Sequence, residues 1–142
     1  YKHLTGSAAY LAGLIQLLAS YRNVPVKVTI GQAQITTNAF LVAIGNGSYY
    51  GGGIKIVPGA ILDDGQLHVC LAGDVTRSEI LQTLPKMFSG KHVTHPKVVI
   101  LKGQEITIES EQKMMLHADG EIVGQTPAVF RVSPQALQIL VP

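Results

Sequence analysis

Residues 46–69 read NGSYYGGGIKIVPGAILDDGQLHV. Six glycines and the adjacent acids Asp63 and Asp64 interrupt residues that otherwise favour extended chain. Two explanations compete. Tight turns between strands need such residues, and Asp64-Gly65 between apolar segments is a strong type I′ hairpin signal. A backbone-lined cradle for phosphate or metal would need them too. One glycine is enough for a turn, whereas Gly51, Gly52 and Gly53 in succession imply close approach of another backbone or a ligand. The run lacks the GxxxxGK[ST] pattern of a P-loop and precedes no helix, so it is a weak nucleotide motif by itself.

On both sides the chain alternates or runs apolar over short stretches. These are VPVKVTI (24–30), AFLVAIGN (39–46), IKIV (54–57), QLHVCLA (66–72), KVVIL (97–101), EITIES (105–110), KMMLHA (113–118), AVFRV (128–132) and LQILV (137–141). Gly31-Gln32, Asp64-Gly65, Gly103-Gln104 and Asp119-Gly120 punctuate them. Two helices are expected. TGSAAYLAGLIQLLASYRN (5–23) is the long one, capped by Thr5 or Ser7 and stopped by Asn23 and Pro25. It is apolar nearly all round and so predicts a buried helix. The shorter one, TRSEILQTLPKMFSG (76–90), opens with Thr76 and Glu79 at capping-box spacing. Ile80, Leu81, Leu84, Met87 and Phe88 form its apolar stripe, Pro85 splits it and Gly90 ends it. The pattern predicts one mainly β domain over residues 1–142, an antiparallel β-sandwich with a long N-terminal helix and a shorter inserted one.

Composition narrows the function. With 142 residues, 46% of them hydrophobic and a mean hydropathy of +0.28, the chain can bury a core and is not expected to be disordered. A net charge of +2 without a basic run argues against nucleic acid and leaves a weakly anionic or membrane-surface partner open. The apolar stretch AAYLAGLIQLLA is too short to span a bilayer. It also lacks the leader and cleavage site of a signal peptide. The first residue is Tyr1 rather than Met, so the chain is expected to be an excerpt or a processed product.

Individual groups say less. Cys70 lies in QLHVCLAG and reads as an inert core thiol suited to a reducing compartment. His3, His68, His92, His95 and His117 show neither HxxxH nor HExxH spacing and read as structural or surface residues. Met114-Met115 reads as core filler, and no serine sits in a nucleophile-elbow sequence.

The order of the motifs adds more. SAAYLAGL, VAIGNGSYYGGGIKIVPGAILDDGQLHV, SGKH, HADGEI and VSPQALQILVP, in that order, resemble the C-terminal domain of the diacylglycerol kinase, bacterial lipid kinase and sphingosine kinase superfamily. The likeness runs over nearly the whole chain; each motif is weak alone and the ordered series is specific. The resemblance implies a sandwich like that of NAD kinases, partnered by the protein's own N-terminal nucleotide-binding domain with a GGDGT-type motif that this sequence lacks. Alone, such a chain should fold without turning over. The resemblance implies Mg²⁺ held by Asp64, with Asp63 as a second contributor, and ATP bound mainly by the other domain. It implies Glu121 as general base with Asp119 beside it, and Asn46 and Gly51, Gly52 and Gly53 lining the cleft between the domains. It implies a diacylglycerol-like acceptor, a cytoplasmic protein in transient contact with the membrane surface, and room for a homodimer. Another lipid alcohol as acceptor, an NAD kinase relative and a non-catalytic lipid- or nucleotide-sensing module are the alternatives.

Overall fold

The computed structural model describes residues 21–140. The long helix expected over residues 5–23 therefore lies, up to residue 20, outside the described residues. The described chain is mainly β, as expected. Its strands are β1 (Val24–Ile30), β2 (Ala33–Ala39), β3 (Leu41–Gly45), β4 (Leu67–Ala72), β5 (Val98–Gly103), β6 (Glu105–Ser110), β7 (Met115–Ala118), β8 (Glu121–Gln125) and β9 (Ala128–Arg131). One helix, α1 (Arg77–Thr83), and two 3₁₀ turns, Leu84–Met87 and Lys91–Thr94, join β4 to β5.

The strands form two principal antiparallel sheets, β2-β1-β6-β9 and β3-β4-β5, and a separate β7-β8 hairpin. Alternation supplies the core between the sheets. Val26 and Val28 of β1, and Ile106 and Ile108 of β6, face Val69 and Leu71 of β4, with Ala39 closing one end. Burying each of these Val, Leu and Ile side chains contributes roughly 1.5–3 kcal/mol. The three-stranded sheet is covered on its back as well. Cys70 points there and packs with Ile56 and Val57, flanked by Met87, Val98 and Ile100. This double burial explains the continuous apolar run of β4.

Several expectations need correction. AFLVAIGN is not one strand: the chain breaks at Phe40, where it leaves β2 in one sheet for β3 in the other. IKIV is not a strand either. Only Ile54 makes an isolated bridge, to Tyr50, while Ile56 and Val57 are buried as a covering layer. The described part of LQILV carries no strand, and Leu137, Ile139 and Leu140 are exposed. Conversely, AQITTNA and EIVGQ, not read as strands, form β2 and β8. Asp64-Gly65 does not join two paired strands; it ends a loop that feeds β4. Asp119-Gly120 does turn a hairpin, with φ of 49° and 88° as a type I′ corner requires.

The helix forms where its cap predicts. Thr76 Oγ1 accepts from the Glu79 N–H, and Glu79 Oε2 accepts from the Thr76 N–H at 2.7 Å. Glu79 also meets Lys97 Nζ at 2.9 Å and His95 Nε2 at 3.6 Å, tying the start of α1 to the segment that enters β5. The chain passes from α-helix to 3₁₀ turn at Leu84, with Pro85 in that turn's first positions. Of the expected stripe, Ile80 is buried and Met87 joins the core, but Leu81 and Phe88 are exposed.

Gly103 closes β5 where the chain crosses from one sheet to the other. A Cβ there would stand 2.4 Å from Ile30 Cγ2. Gly103→Ala should therefore destabilise the fold by about 1–3 kcal/mol in chemical denaturation. Adding Ile30→Ala should make the second substitution less costly than it is alone, and strictly additive losses would refute the clash.

Glu79 generates a pH prediction. The Thr76 backbone N–H first, then the Lys97 side chain, hold its carboxyl down to about 2 from an ordinary 4.5. A lowered folded pKa makes the Glu79 contribution complete above the ordinary value and lost as pH falls from about 4.5 towards about 2. Melting curves across that range should show a shallower acid decline for Glu79→Gln than for the parent.

Candidate functional site

The residues singled out in sequence fall on two surfaces. The first is built on the start of β4. The Asn46 side-chain amide donates to the Leu62 carbonyl at 3.2 Å, and Ser48 Oγ donates to the Ala60 carbonyl at 3.3 Å. These bonds lay the loop 58–66 along the turn that follows β3. Gly45 permits the approach, since a Cβ there would stand 3.0 Å from the Gly47 carbonyl oxygen and 3.1 Å from Val57 Cγ2. Asn46 is thus brought beside the acidic loop, two residues from Asp64.

Asp64 is braced twice. Its Oδ1 accepts from the Gln66 N–H at 2.9 Å, and its Oδ2 lies 3.1 Å from His68 Nε2. The His68 hydrogen bond, followed by that from Gln66, holds the Asp64 carboxyl below its usual range, so it is ionised at neutral pH. An ionised carboxylate only accepts, which makes Nε2 the donating nitrogen of His68. Asp63 is exposed and makes no hydrogen bond or ion pair among the described residues.

The three glycines form the tip of a small hairpin. Tyr50 and Ile54 exchange backbone hydrogen bonds at 2.8 and 3.1 Å, and the Gly53 N–H donates to the Gly51 carbonyl at 2.7 Å. Among the described residues, the expected close approach of another backbone is not found: none lies within 4 Å of a Cβ built on Gly51, Gly52 or Gly53. Gly51 and Gly53 are needed for their φ of 53° and 93°. Gly52 has neither constraint. Tyr49 and Tyr50 are exposed beside the tip, and Lys55 Nζ stands 5.7 Å from the Tyr49 ring centroid.

The second surface is the β7-β8 hairpin. Asp119 occupies its corner and Glu121 opens β8, both exposed. No hydrogen bond or ion pair among the described residues connects them to the Asp64 loop. The hairpin is anchored at its base, where the Thr126 N–H donates to the Met114 carbonyl at 2.9 Å and Thr126 Oγ1 accepts from the Met114 N–H at 3.0 Å.

Among the described residues no group of three or more His, Cys, Asp or Glu side chains could hold a metal ion. A cation at the Asp64 loop would therefore rely on one or two carboxylates, main-chain carbonyls and water. That donor set fits Mg²⁺, which keeps several waters, better than a metal that wants a full side-chain cage. Cys70 is inert as expected: burial pushes its thiol up to about 11. His68, read from sequence as structural, is the residue overlooked at the site. No motif spacing signals it, because its hydrogen bond runs from a strand back to the turn before it.

The fold and these motifs define a class. The chain belongs to the family of YegS C-terminal NAD kinase beta sandwich-like domains, whose model matches residues 1–141. It is similar to the diacylglycerol kinase of Staphylococcus carnosus (29% identity over 99% of this chain and 46% of that protein). The diacylglycerol kinase of Mycobacterium tuberculosis is 30% identical over 96% of this chain and 44% of that one. A solved structure of a candidate diacylglycerol kinase from Bacillus anthracis superposes with a TM-score of 0.71 at 25% identity, covering 94% of this chain and 46% of that one. The chain thus spans slightly under half the length of the relatives it matches. No helix among the described residues is long and apolar enough to cross a membrane.

Gly52 separates the two roles of the glycine tip. Gly51→Ala and Gly53→Ala should each lower the melting temperature, because alanine is strained at those φ values. Gly52→Ala should leave it unchanged. Loss of nucleotide or lipid binding in a fully stable Gly52→Ala protein would reveal a ligand approaching the tip, and unchanged binding would leave Gly52 a turn residue only.

Proposed function

We propose that this chain is the acceptor-side domain of an ATP-dependent lipid kinase that phosphorylates a primary hydroxyl of a diacylglycerol-like lipid, giving a phosphatidate-like product. The observation that carries the reading is the unbroken likeness over 96–99% of the chain to proteins named diacylglycerol kinase. In this reading the protein's own N-terminal nucleotide-binding domain supplies most of the ATP site, and the whole protein meets the membrane surface transiently from the cytoplasm.

The braced Asp64 carboxylate supports a cation role. Phosphoryl transfer depends on positioning and charge stabilisation, and a ligand already ionised and fixed meets both needs. Asp64 would hold Mg²⁺, with Asp63 and neighbouring carbonyls contributing, and the ion would supply positive charge for that stabilisation. Asn46 and the Gly51–Gly53 tip would line the cleft facing the nucleotide. Glu121, with Asp119 beside it, would accept the proton of the lipid hydroxyl as its oxygen bonds to the γ-phosphorus of ATP and the bond from that phosphorus to the bridging oxygen breaks, releasing ADP.

Glu121 tests this reading. Its exposed place in β8 gives it no packing role, so Glu121→Gln should leave the melting temperature and the lipid KM nearly unchanged. General-base assistance is typically worth about 10²–10⁴ in rate, and kcat of the whole protein should fall by that factor. More than half the parental kcat would remove Glu121 from the mechanism.

A further inference from the structure

We infer that His68 is a positioning residue: its buried ring holds the Asp64 carboxylate in one orientation and thereby sets the affinity of the acidic loop for a divalent cation. The inference rests on the cation role proposed above for Asp64.

The two partners differ in rigidity. His68 is the second residue of β4, paired with Gly45 of β3 on one side and with Lys102 of β5 on the other. It is 6% exposed, so its ring has little room to turn. Asp64 lies in an irregular loop ahead of that strand. Its turn is completed by a single bond, from the Gln66 N–H to Oδ1 at 2.9 Å. The turn alone makes no demand on the second oxygen. Oδ2 is instead engaged by His68 Nε2 at 3.1 Å, and the strand's rigidity passes through that bond to the loop.

The bond does not exhaust the carboxylate. Its two oxygens offer about four acceptor sites, of which the Gln66 and His68 bonds use two. The rest remain for a cation. Asn46, bonded to the Leu62 carbonyl at 3.2 Å, fixes the chain just ahead of Asp64, so the loop is held on both sides of the acid. Partners that orient a metal ligand without touching the metal commonly change affinity by about 10–100-fold when removed.

The experiment uses the whole protein that carries this chain, without nucleotide, and Mn²⁺ as a spectroscopic stand-in for Mg²⁺. Mn²⁺ affinity is followed by electron paramagnetic resonance, and order in the loop by hydrogen exchange of peptides spanning residues 62–67. His68→Ala is expected to weaken Mn²⁺ binding about tenfold and to speed exchange in that loop. His68→Gln, which keeps an N–H donor, should restore most of both. Should His68→Ala not fold, His68→Met fills the space without a donor and should show the same two losses. Loss of Mn²⁺ on Asp64→Ala with none on His68→Ala or His68→Met overturns this inference alone. Failure of glutamine to restore either property also overturns it, since His68 then acts through packing. Mn²⁺ binding unchanged in Asp64→Ala overturns the cation role of the loop, and this inference with it.

Discussion

β4 is buried on both faces, and the rest of the molecule is arranged around that constraint. Val69 and Leu71 face the core between the sheets, while Cys70 faces the layer formed by Ile56, Val57 and Met87. A strand in this position has no freedom to slip, because a shift of one residue would exchange the two buried sets. The loops at its ends inherit that fixity. The acidic loop enters at its start, braced by His68, and the Glu79 cluster lies beyond its other end, where α1 is tied to the entry of β5. Hence Asp64, just ahead of β4, is braced by both a backbone and a side-chain hydrogen bond.

What the sequence revealed of the fold follows from how each strand is buried. β1 and β6 alternate cleanly because one face of each meets the core and the other meets solvent, as Val26, Val28, Ile106 and Ile108 show. β2 was hidden because it is an edge strand, and its inward positions Ile35, Thr37 and Ala39 include a threonine and an alanine that carry little apolar signal. IKIV misled for the opposite reason. Its apolar residues are buried, but against the back of a sheet rather than within one. Periodicity reports which side chains are buried and not what the backbone bonds to.

The two Asp-Gly pairs show the same limit at the site. In sequence both satisfy the hairpin signal, yet only Asp119-Gly120 joins paired strands. Before Asp64 stand Pro58 and Gly59, in a segment whose backbone serves as acceptor for Asn46 and Ser48 side chains instead of for a neighbouring strand. The bracing of Asp64 by His68 was similarly out of reach, since no motif spacing for histidine describes a hydrogen bond from a strand back to its own preceding turn.

The candidate acids therefore divide by environment. A cation ligand works best when it is ionised and fixed before the ion arrives, which spares the cost of ordering it on binding. Asp64 has both properties within this chain. A general base must instead come within hydrogen-bond reach of the proton it takes. Glu121 lies on an exposed strand of the separate hairpin, open to an acceptor approaching from solvent. In the kinase reading the lipid hydroxyl would reach Glu121 from that open side.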